Sequence, residues 1–247
     1  MSKKSKAEER AAKAAAALAE RKRKERRRNL LTIGAVVLAM VVIVAVGFLI
    51  NQSRDEKADE GVAAASSTYE VSIGDEDAPN EVVIYEDFLC PICQGLEAAT
   101  RDQLAQLADE GQVRVSYRPF NLFSQEGDPR KEYSVAAAAV FAVVLDTSGP
   151  EVAKELHDLL YENQPSEAGP FPSEDDLVGL AVEAGADEAD VREGLENGDG
   201  EDWVEKATAA ANDLGINSTP TIYLNGEEFR DGRTMEELAA NLVAAVS

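Results

Sequence analysis

The sequence predicts an α/β domain made of a strand–helix–strand unit, a helical insertion and a closing hairpin with a last helix, all placed behind one apolar span. Three observations predict it. The β-branched run Glu81-Val82-Val83-Ile84-Tyr85 precedes apolar residues at helical spacing and then the alternating stretch Val113–Tyr117, which is the pattern of a βαβ unit. Residues between about 120 and 214 read as mainly helical. Thr221-Ile222-Tyr223-Leu224 then runs into Asn225-Gly226, the strongest short hairpin signal.

From the N-terminus, residues 1–29 carry twelve Lys/Arg against four Asp/Glu. Leu30–Ile50 follows as 21 uncharged, mostly apolar residues. At about 1.5 Å per residue such a helix spans roughly 30 Å, the thickness of a bilayer core. The apolar core of a cleaved signal is shorter, about 7–15 residues, and ends at a small-residue site. Here the nearest small-residue cluster, Ala63-Ala64-Ala65, lies well beyond the run, so an uncleaved signal-anchor is expected. The basic cluster Arg21–Arg28 abuts the run on one side, and Asp55, Glu56, Asp59 and Glu60 follow it. Because Lys/Arg excess stays on the cytoplasmic side, the tail is predicted inside and residues 51–247 outside. The alanine-rich stretch Ala7–Glu20 reads as a helix that touches anionic lipid. The polar stretch 51–67 reads as a tether, and 68–247 as the folded domain, with its insertion at about 120–200.

Within that domain, Leu96, Thr100, Leu104 and Leu107 place a helix over Cys93–Ala108 that Gly111 ends. Asp128 before Pro129 reads as an N-cap and first helical residue, opening a helix through Val135–Leu145. Val152–Glu162 is a second insertion helix. Ser173 with Asp176 three residues on suggests another start, a variant of the capping box. Ala189–Glu196 and Asp202–Leu214 follow, then Glu227–Arg230 as the return strand and Thr234–Val246 as an amphipathic closing helix.

The chain totals 24 Lys/Arg and 47 Asp/Glu, a net charge of −23. Twelve basic and 43 acidic residues lie after position 50, so the average conceals a basic tail and an acidic body. Such a body argues against nucleic acid as partner, because phosphate backbones are bound by Lys and Arg. Cys90 and Cys93 are the two cysteines present. They bracket Pro91-Ile92 just after a strand and at the start of a helix. There, unpaired N–H groups and the helix dipole favour a thiolate, which is the attacking species. Cys90 is at the exposed edge, and Cys93, one turn on, reaches the same sulfur. Half of a zinc site is a poor reading, since zinc usually takes four ligands and the chain adds one histidine, His157, and no third cysteine. A merely structural bridge across two residues would restrain little unfolded-chain entropy. The second element is Ser218-Thr219-Pro220-Thr221, directly before the hairpin. A cis X–Pro bond there would be a deliberate feature, and the Thr219 backbone facing the sulfurs could pair with an extended substrate strand.

Asp87-Phe88-Leu89-Cys90-Pro91-Ile92-Cys93 resembles the active-site motif of the DsbA family, and Gly215–Gly226 resembles its cis-proline loop and hairpin. The resemblance covers residues 68–247. It implies a thioredoxin-like fold with an inserted helical domain, Cys90 as nucleophile, Cys93 as partner cysteine, and Thr219 and Pro220 beside them as substrate-binding residues. It also implies an extracytoplasmic oxidase that donates disulfides to exported cysteine-containing proteins and is reoxidised by a membrane partner of the DsbB or vitamin K epoxide reductase-like type. A disulfide reductase or isomerase, and a non-catalytic binding or sensor module, are the alternatives. No cofactor and no metal is expected. Two positions depart from the family pattern. Many members carry a buried acid six residues before the nucleophile, where this chain has Ile84; Glu86 and Asp87 are nearby, and the sequence does not say which group takes the proton of Cys93. The best-known members place histidine between the cysteines, where this chain has Ile92, so a less extreme oxidant is expected. His157 reads as a surface or core histidine, Trp203 as a packing anchor and Glu183–Asp202 as a solvated acidic face.

Overall fold

Strand β2, Asn80–Glu86, lies at the centre of a five-stranded sheet. The structure is a computed structural model and describes residues 69–247. The other strands are β1 (Val71–Ile73), β3 (Val113–Pro119), β4 (Thr221–Leu224) and β5 (Glu227–Glu228), in the order β1-β3-β2-β4-β5. β2 and β3 pair in parallel, and the remaining neighbours are antiparallel. A parallel pair needs a long crossover, here helix α1, Pro91–Asp109.

Strand side chains alternate between faces. Val82 and Ile84 pack into a core with Leu96 and Leu104 of α1 and Leu242 of the closing helix α7, Met235–Ala245. Val83 and Tyr85 point the other way, into a smaller cluster with Phe120, Ala211, Ile216 and Tyr223. Covering on both faces is why β2 reads as a continuous apolar run rather than an alternating one. Glu86 has the parity of Ile84 and lies on the α1 face.

Between β3 and β4 stand five helices: α2 (Pro129–Ser148), α3 (Pro150–Glu162), α4 (Glu174–Ala184), α5 (Glu188–Glu196) and α6 (Asp199–Asp213). α2 is buried almost without interruption from Ala137 to Val144, as befits a helix apolar all round, and α3 to α6 pack about it. The predicted starts at Asp128 and Ser173 are present: the Asp128 carboxylate accepts from the Arg130 N–H, and Ser173 and Asp176 cap each other reciprocally. The hairpin turn has positive φ at Asn225 (53°) and Gly226 (84°), the requirement of a type I′ turn.

Three local differences from the sequence reading have physical causes. β1 was not predicted, because three residues on a sheet edge hold too little pattern. α6 begins at Asp199 rather than Asp202. The Gly198-Asp199-Gly200 stretch resembles a turn, but a Cβ on Gly200 would stand 2.6 Å from the Ala139 carbonyl oxygen, so glycine there serves close helix packing. The return strand β5 stops at Glu228 rather than Arg230. Among the described residues no helix is long and apolar enough to cross a membrane. The predicted anchor Leu30–Ile50, with its basic tail and tether, lies outside the described residues.

Candidate active site

β2 ends at Glu86, and the next residue turns the chain toward α1. The buried Asp87 carboxylate accepts from the Leu89 N–H at 2.8 Å, from the Leu122 N–H at 2.8 Å and from the Ser134 hydroxyl. Burial pushes its pKa up against those three donors. The Asp87 carbonyl in turn accepts from the Cys90 N–H at 2.9 Å. Cys90 is the N-cap of α1 in extended conformation, with Pro91 directly inside the helix, where its missing N–H costs nothing. Gln164 donates to the carbonyls of Phe88 (3.0 Å) and Cys90 (3.1 Å) and so ties this turn to the chain leaving α3.

Both cysteines are free thiols and buried, Cys90 at 6 % exposure and Cys93 at 2 %. Their acidities diverge. A hydrogen bond from Cys93 outweighs burial and, with Thr219 and the backbone N–H groups of Ile92 and Cys93, lowers Cys90 to about 6. Burial raises Cys93 well above the ordinary thiol value, reinforced by Cys90 and by the negative charge of Glu86; the Asp87 backbone N–H at its sulfur opposes this. The first helical turn therefore holds one thiolate and one thiol at neutral pH.

The structure brings Thr219 and Pro220 to the same place. The Thr219–Pro220 peptide is cis, and the Thr219 carbonyl lies 3.5 Å from Cys90 Sγ as acceptor. The Thr219 hydroxyl is buried beside that sulfur, the polar group whose pKa it lowers. Ile92 is 53 % exposed beside the cysteines, an apolar contact for whatever approaches Cys90.

Beneath Cys93 lies a cluster of buried charge. Glu86 Oε1 is 2.7 Å from His157 Nε2, and His157 Nδ1 is 3.0 Å from Asp158 Oδ1. Glu97 and Arg101 of α1 join them: Arg101 Nε is 3.0 Å from Glu97 and 3.4 Å from Asp158. Lys154 pairs with Asp158 and lies 3.7 Å from Glu97. Burial alone would hold His157 neutral, but Glu86, Asp158 and Glu97 outweigh it and raise the imidazole to about 9. Donor atoms of Glu97, His157 and Asp158 all lie within 4.8 Å of one another. Lys154 and Arg101 already match these carboxylates, so the trio is an ion-pair network by its chemistry.

His157 is thus a core residue at 0 % exposure. Its ring meets Tyr117 at 4.5 Å between centroids and Tyr161 at 5.1 Å. Trp203 packs edge-on against Tyr69 and Phe141, away from the cysteines, and most acidic residues of 183–202 are exposed. The sequence reading placed Glu86 near the cysteines without its side-chain direction, and it did not pair Glu86 with His157. The available signal was parity, since Glu86 shares a face with Ile84, but nothing local points to His157.

The chain matches the family model described as thioredoxin over residues 66–243. It is 24% identical over 194 residues to a Bacillus cereus protein described as a probable disulfide bond formation protein D, covering 77% of this chain and 86% of that one. Among solved structures, the reduced DsbA of Mycobacterium tuberculosis superposes with a TM-score of 0.59 at 27% identity, covering 72% of this chain and 91% of that one. The reduced disulfide bond oxidoreductase DsbG of the same organism gives 0.61 at 28%, covering 76% and 90%. The helical insertion, the two unlike thiols at a helix start and these likenesses agree: the chain belongs to the thioredoxin family, as a thiol–disulfide oxidoreductase of the DsbA/DsbG type.

Proposed function

We propose that this protein is a membrane-anchored oxidase that donates disulfides to exported proteins through Cys90 and Cys93. The observation that carries the reading is the split between the two thiols: Cys90 lowered to about 6, Cys93 raised. A pair whose reduced form holds a stabilised thiolate favours that reduced form, so its disulfide accepts electrons readily and is readily given away. A substrate thiolate attacks Cys90 Sγ of the disulfide, the Cys90–Cys93 bond breaks and a mixed disulfide forms. A second substrate thiolate then attacks the substrate sulfur of that bond, and Cys90 leaves as thiolate. The substrate is oxidised by two electrons and the cysteine pair reduced by two. Thr219 and Pro220, beside the sulfur, are the binding edge for an extended substrate segment.

The arrangement along the chain belongs to the same proposal. Residues 1–29 remain in the cytoplasm, 30–50 cross the membrane, 51–67 form the tether and 68–247 face outward, where disulfides persist. Reoxidation falls to a membrane quinone reductase of the DsbB or vitamin K epoxide reductase-like type.

The Ile92 side chain offers no hydrogen bond to the thiolate, so the expected potential is intermediate, above thioredoxin's of about −270 mV and below the family extreme. Equilibrating the full-length protein with graded glutathione buffers measures it. A paired assay compares oxidation of a reduced multi-disulfide protein with repair of a scrambled one. A potential at or below thioredoxin's, with no oxidation of the reduced protein, rejects the oxidase reading in favour of a reductase or isomerase. Absence of mixed disulfides trapped by Cys93→Ala, in cells exporting cysteine-containing proteins, would favour a non-catalytic module.

A further inference from the structure

We propose that Gln164, just beyond the end of α3, is a positioning residue for the nucleophile: together with Asp87 it clamps the turn that carries Cys90, and the clamp keeps the Cys90 sulfur where its thiolate is stabilised. This deepens the oxidoreductase reading and rests on it.

The need for a clamp arises in the dithiol form. In the disulfide form the bond to Cys93 fixes the Cys90 sulfur. Once that bond is broken, only non-covalent contacts hold it. The groups that stabilise its thiolate are the Cys93 thiol, Thr219 and the backbone N–H groups of Ile92 and Cys93. Such hydrogen bonds weaken steeply as distance and angle depart from ideal. Cys90 is the N-cap of α1, so the residues before it have no helical hydrogen bonds to hold them.

Each peptide unit from Phe88 to Pro91 is held from outside the helix instead. The Phe88–Leu89 unit is held at both ends. Its carbonyl accepts from Gln164 Nε2 at 3.0 Å, and its N–H donates to the Asp87 carboxylate at 2.8 Å. The Leu89–Cys90 unit donates its N–H to the Asp87 carbonyl at 2.9 Å. The Cys90–Pro91 unit has no N–H, and its carbonyl accepts from Gln164 Nε2 at 3.1 Å and from the Gln94 N–H at 3.2 Å. One amide nitrogen thus bridges the first and last of these three units. Its orientation is decided by chemistry, since two carbonyls face it and only the NH2 end of the amide can donate to both.

The clamp is anchored in the helical insertion. The Gln164 N–H donates to the Tyr161 carbonyl at 3.3 Å, an oxygen that also accepts from Gln94 Nε2 at 2.9 Å. Pro165 follows and restricts the Gln164 backbone. The second Asp87 oxygen accepts from the Leu122 N–H, ahead of α2, and from the Ser134 hydroxyl on α2. The Phe88 ring meets Phe141 of α2 at 5.7 Å and Tyr161 of α3 at 5.3 Å between centroids. α2 and α3 therefore grip the turn from two sides, and the insertion carries the nucleophile as well as covering the sheet.

The two clamping residues differ in how they tolerate change. Both Asp87 oxygens face backbone N–H groups, so even asparagine would set an amide N–H against one of them. Gln164 is only half-buried, and replacing it leaves no buried charge behind.

The experiment uses the full-length protein with Gln164→Met, which keeps the length of the side chain without its donor, and with Gln164→Glu, which sets oxygens against both carbonyls. Gln164→Ala replaces either one that does not fold. Brief alkylation of Cys90 across a pH series gives its midpoint, about 6 in the wild type. Gln164→Met is expected to raise it by about one pH unit, the scale of one hydrogen bond, and Gln164→Glu by more, because it adds negative charge. The equilibrium of Gln164→Met with glutathione at pH 8 is expected to move about tenfold toward the disulfide form. Urea denaturation should weaken its dithiol form more than its disulfide form, in which the sulfur is held covalently. A merely structural glutamine would weaken both forms alike and leave the midpoint and the equilibrium unmoved, and that result overturns the proposal. A midpoint that rises in Gln164→Glu alone overturns it too, as an effect of charge. Asp87→Asn that folds with the wild-type midpoint removes the other half of the clamp and has the same consequence. Failure of the wild-type disulfide to exchange with any dithiol instead rejects the oxidoreductase reading itself.

Discussion

On the sheet face toward α6, Arg118 donates to Glu70 at 2.8 Å and to the Tyr85 hydroxyl at 2.8 Å. Its guanidinium also lies 5.4 Å from the centre of the Tyr85 ring. On the face toward α1 and α3, Glu86, Glu97 and Asp158 meet His157, Lys154 and Arg101. Both faces bury charge, but the cation at the centre differs in kind. A guanidinium keeps its proton at every accessible pH, so the Glu70–Arg118 pair can hold geometry and nothing else. An imidazole can lose its proton, and among these carboxylates His157 does so only at about 9. The titratable cluster lies on the face that Cys93 occupies, and the permanent pair lies on the other.

That contrast can be broken by experiment. The largest effect is expected from Arg118→Met, which leaves Glu70 buried with Arg114 3.5 Å away. Removing one partner of a buried pair costs about 3–5 kcal/mol. Urea denaturation should show this loss undiminished between pH 6 and 8, while the pH midpoint for alkylation of Cys90 stays near the wild-type value of about 6. A shifted Cys90 midpoint would mean that the two faces communicate.

The next effect is the pH dependence of stability from His157. Its pKa is raised to about 9 in the folded state from about 6.5 unfolded. The stabilisation is complete below 6.5 and is lost as pH rises through 9, in total about 3 kcal/mol. Denaturation should be followed on the disulfide form. In the dithiol form the lowered Cys90 pKa adds stability with rising pH between 6 and 9, and that slope opposes the one sought. His157→Gln should remove this slope; Arg118→Met should retain it.

Ser134→Ala should cost about 2 kcal/mol, because it removes one of three donors from a buried carboxyl and leaves two. Its signature is a further rise of the Asp87 pKa, read by 13C NMR of the side-chain carboxyl. The smallest effect is expected at the surface. Arg192 bridges Asp175 and Glu188 in the open, where ion pairs contribute little. Arg192→Ala should leave the denaturation midpoint unmoved; a clear shift would show that exposed pairs carry weight in so acidic a domain.

The elements were legible in the residues to differing degrees. The β2 run, the Asp128 and Ser173 caps and the Asn225-Gly226 turn are local signals, each decided within a few residues. α6 was read late because Gly198-Asp199-Gly200 carries turn chemistry, and only the approach of Ala139 shows why glycine is there. At the site, the lowered pKa of Cys90 could be anticipated from its place at a helix start. The height of the Cys93 pKa could not, because it comes from burial by elements far along the chain.

By itself the sequence determined the strand–helix–strand frame, the cysteine pair at the start of its helix and the proline loop before the hairpin. Periodicity, caps and turn residues act over short stretches of chain. Only the tertiary structure decided which groups surround the sulfurs. Thr219 reaches Cys90 across a separation of 129 residues, and His157 reaches Glu86 across 71. No periodic pattern records such a pairing, since a buried acid and a buried histidine each read locally as misplaced polar residues. Their meaning comes from the fold that closes α3 over β2, where the low dielectric makes each charge depend on the other.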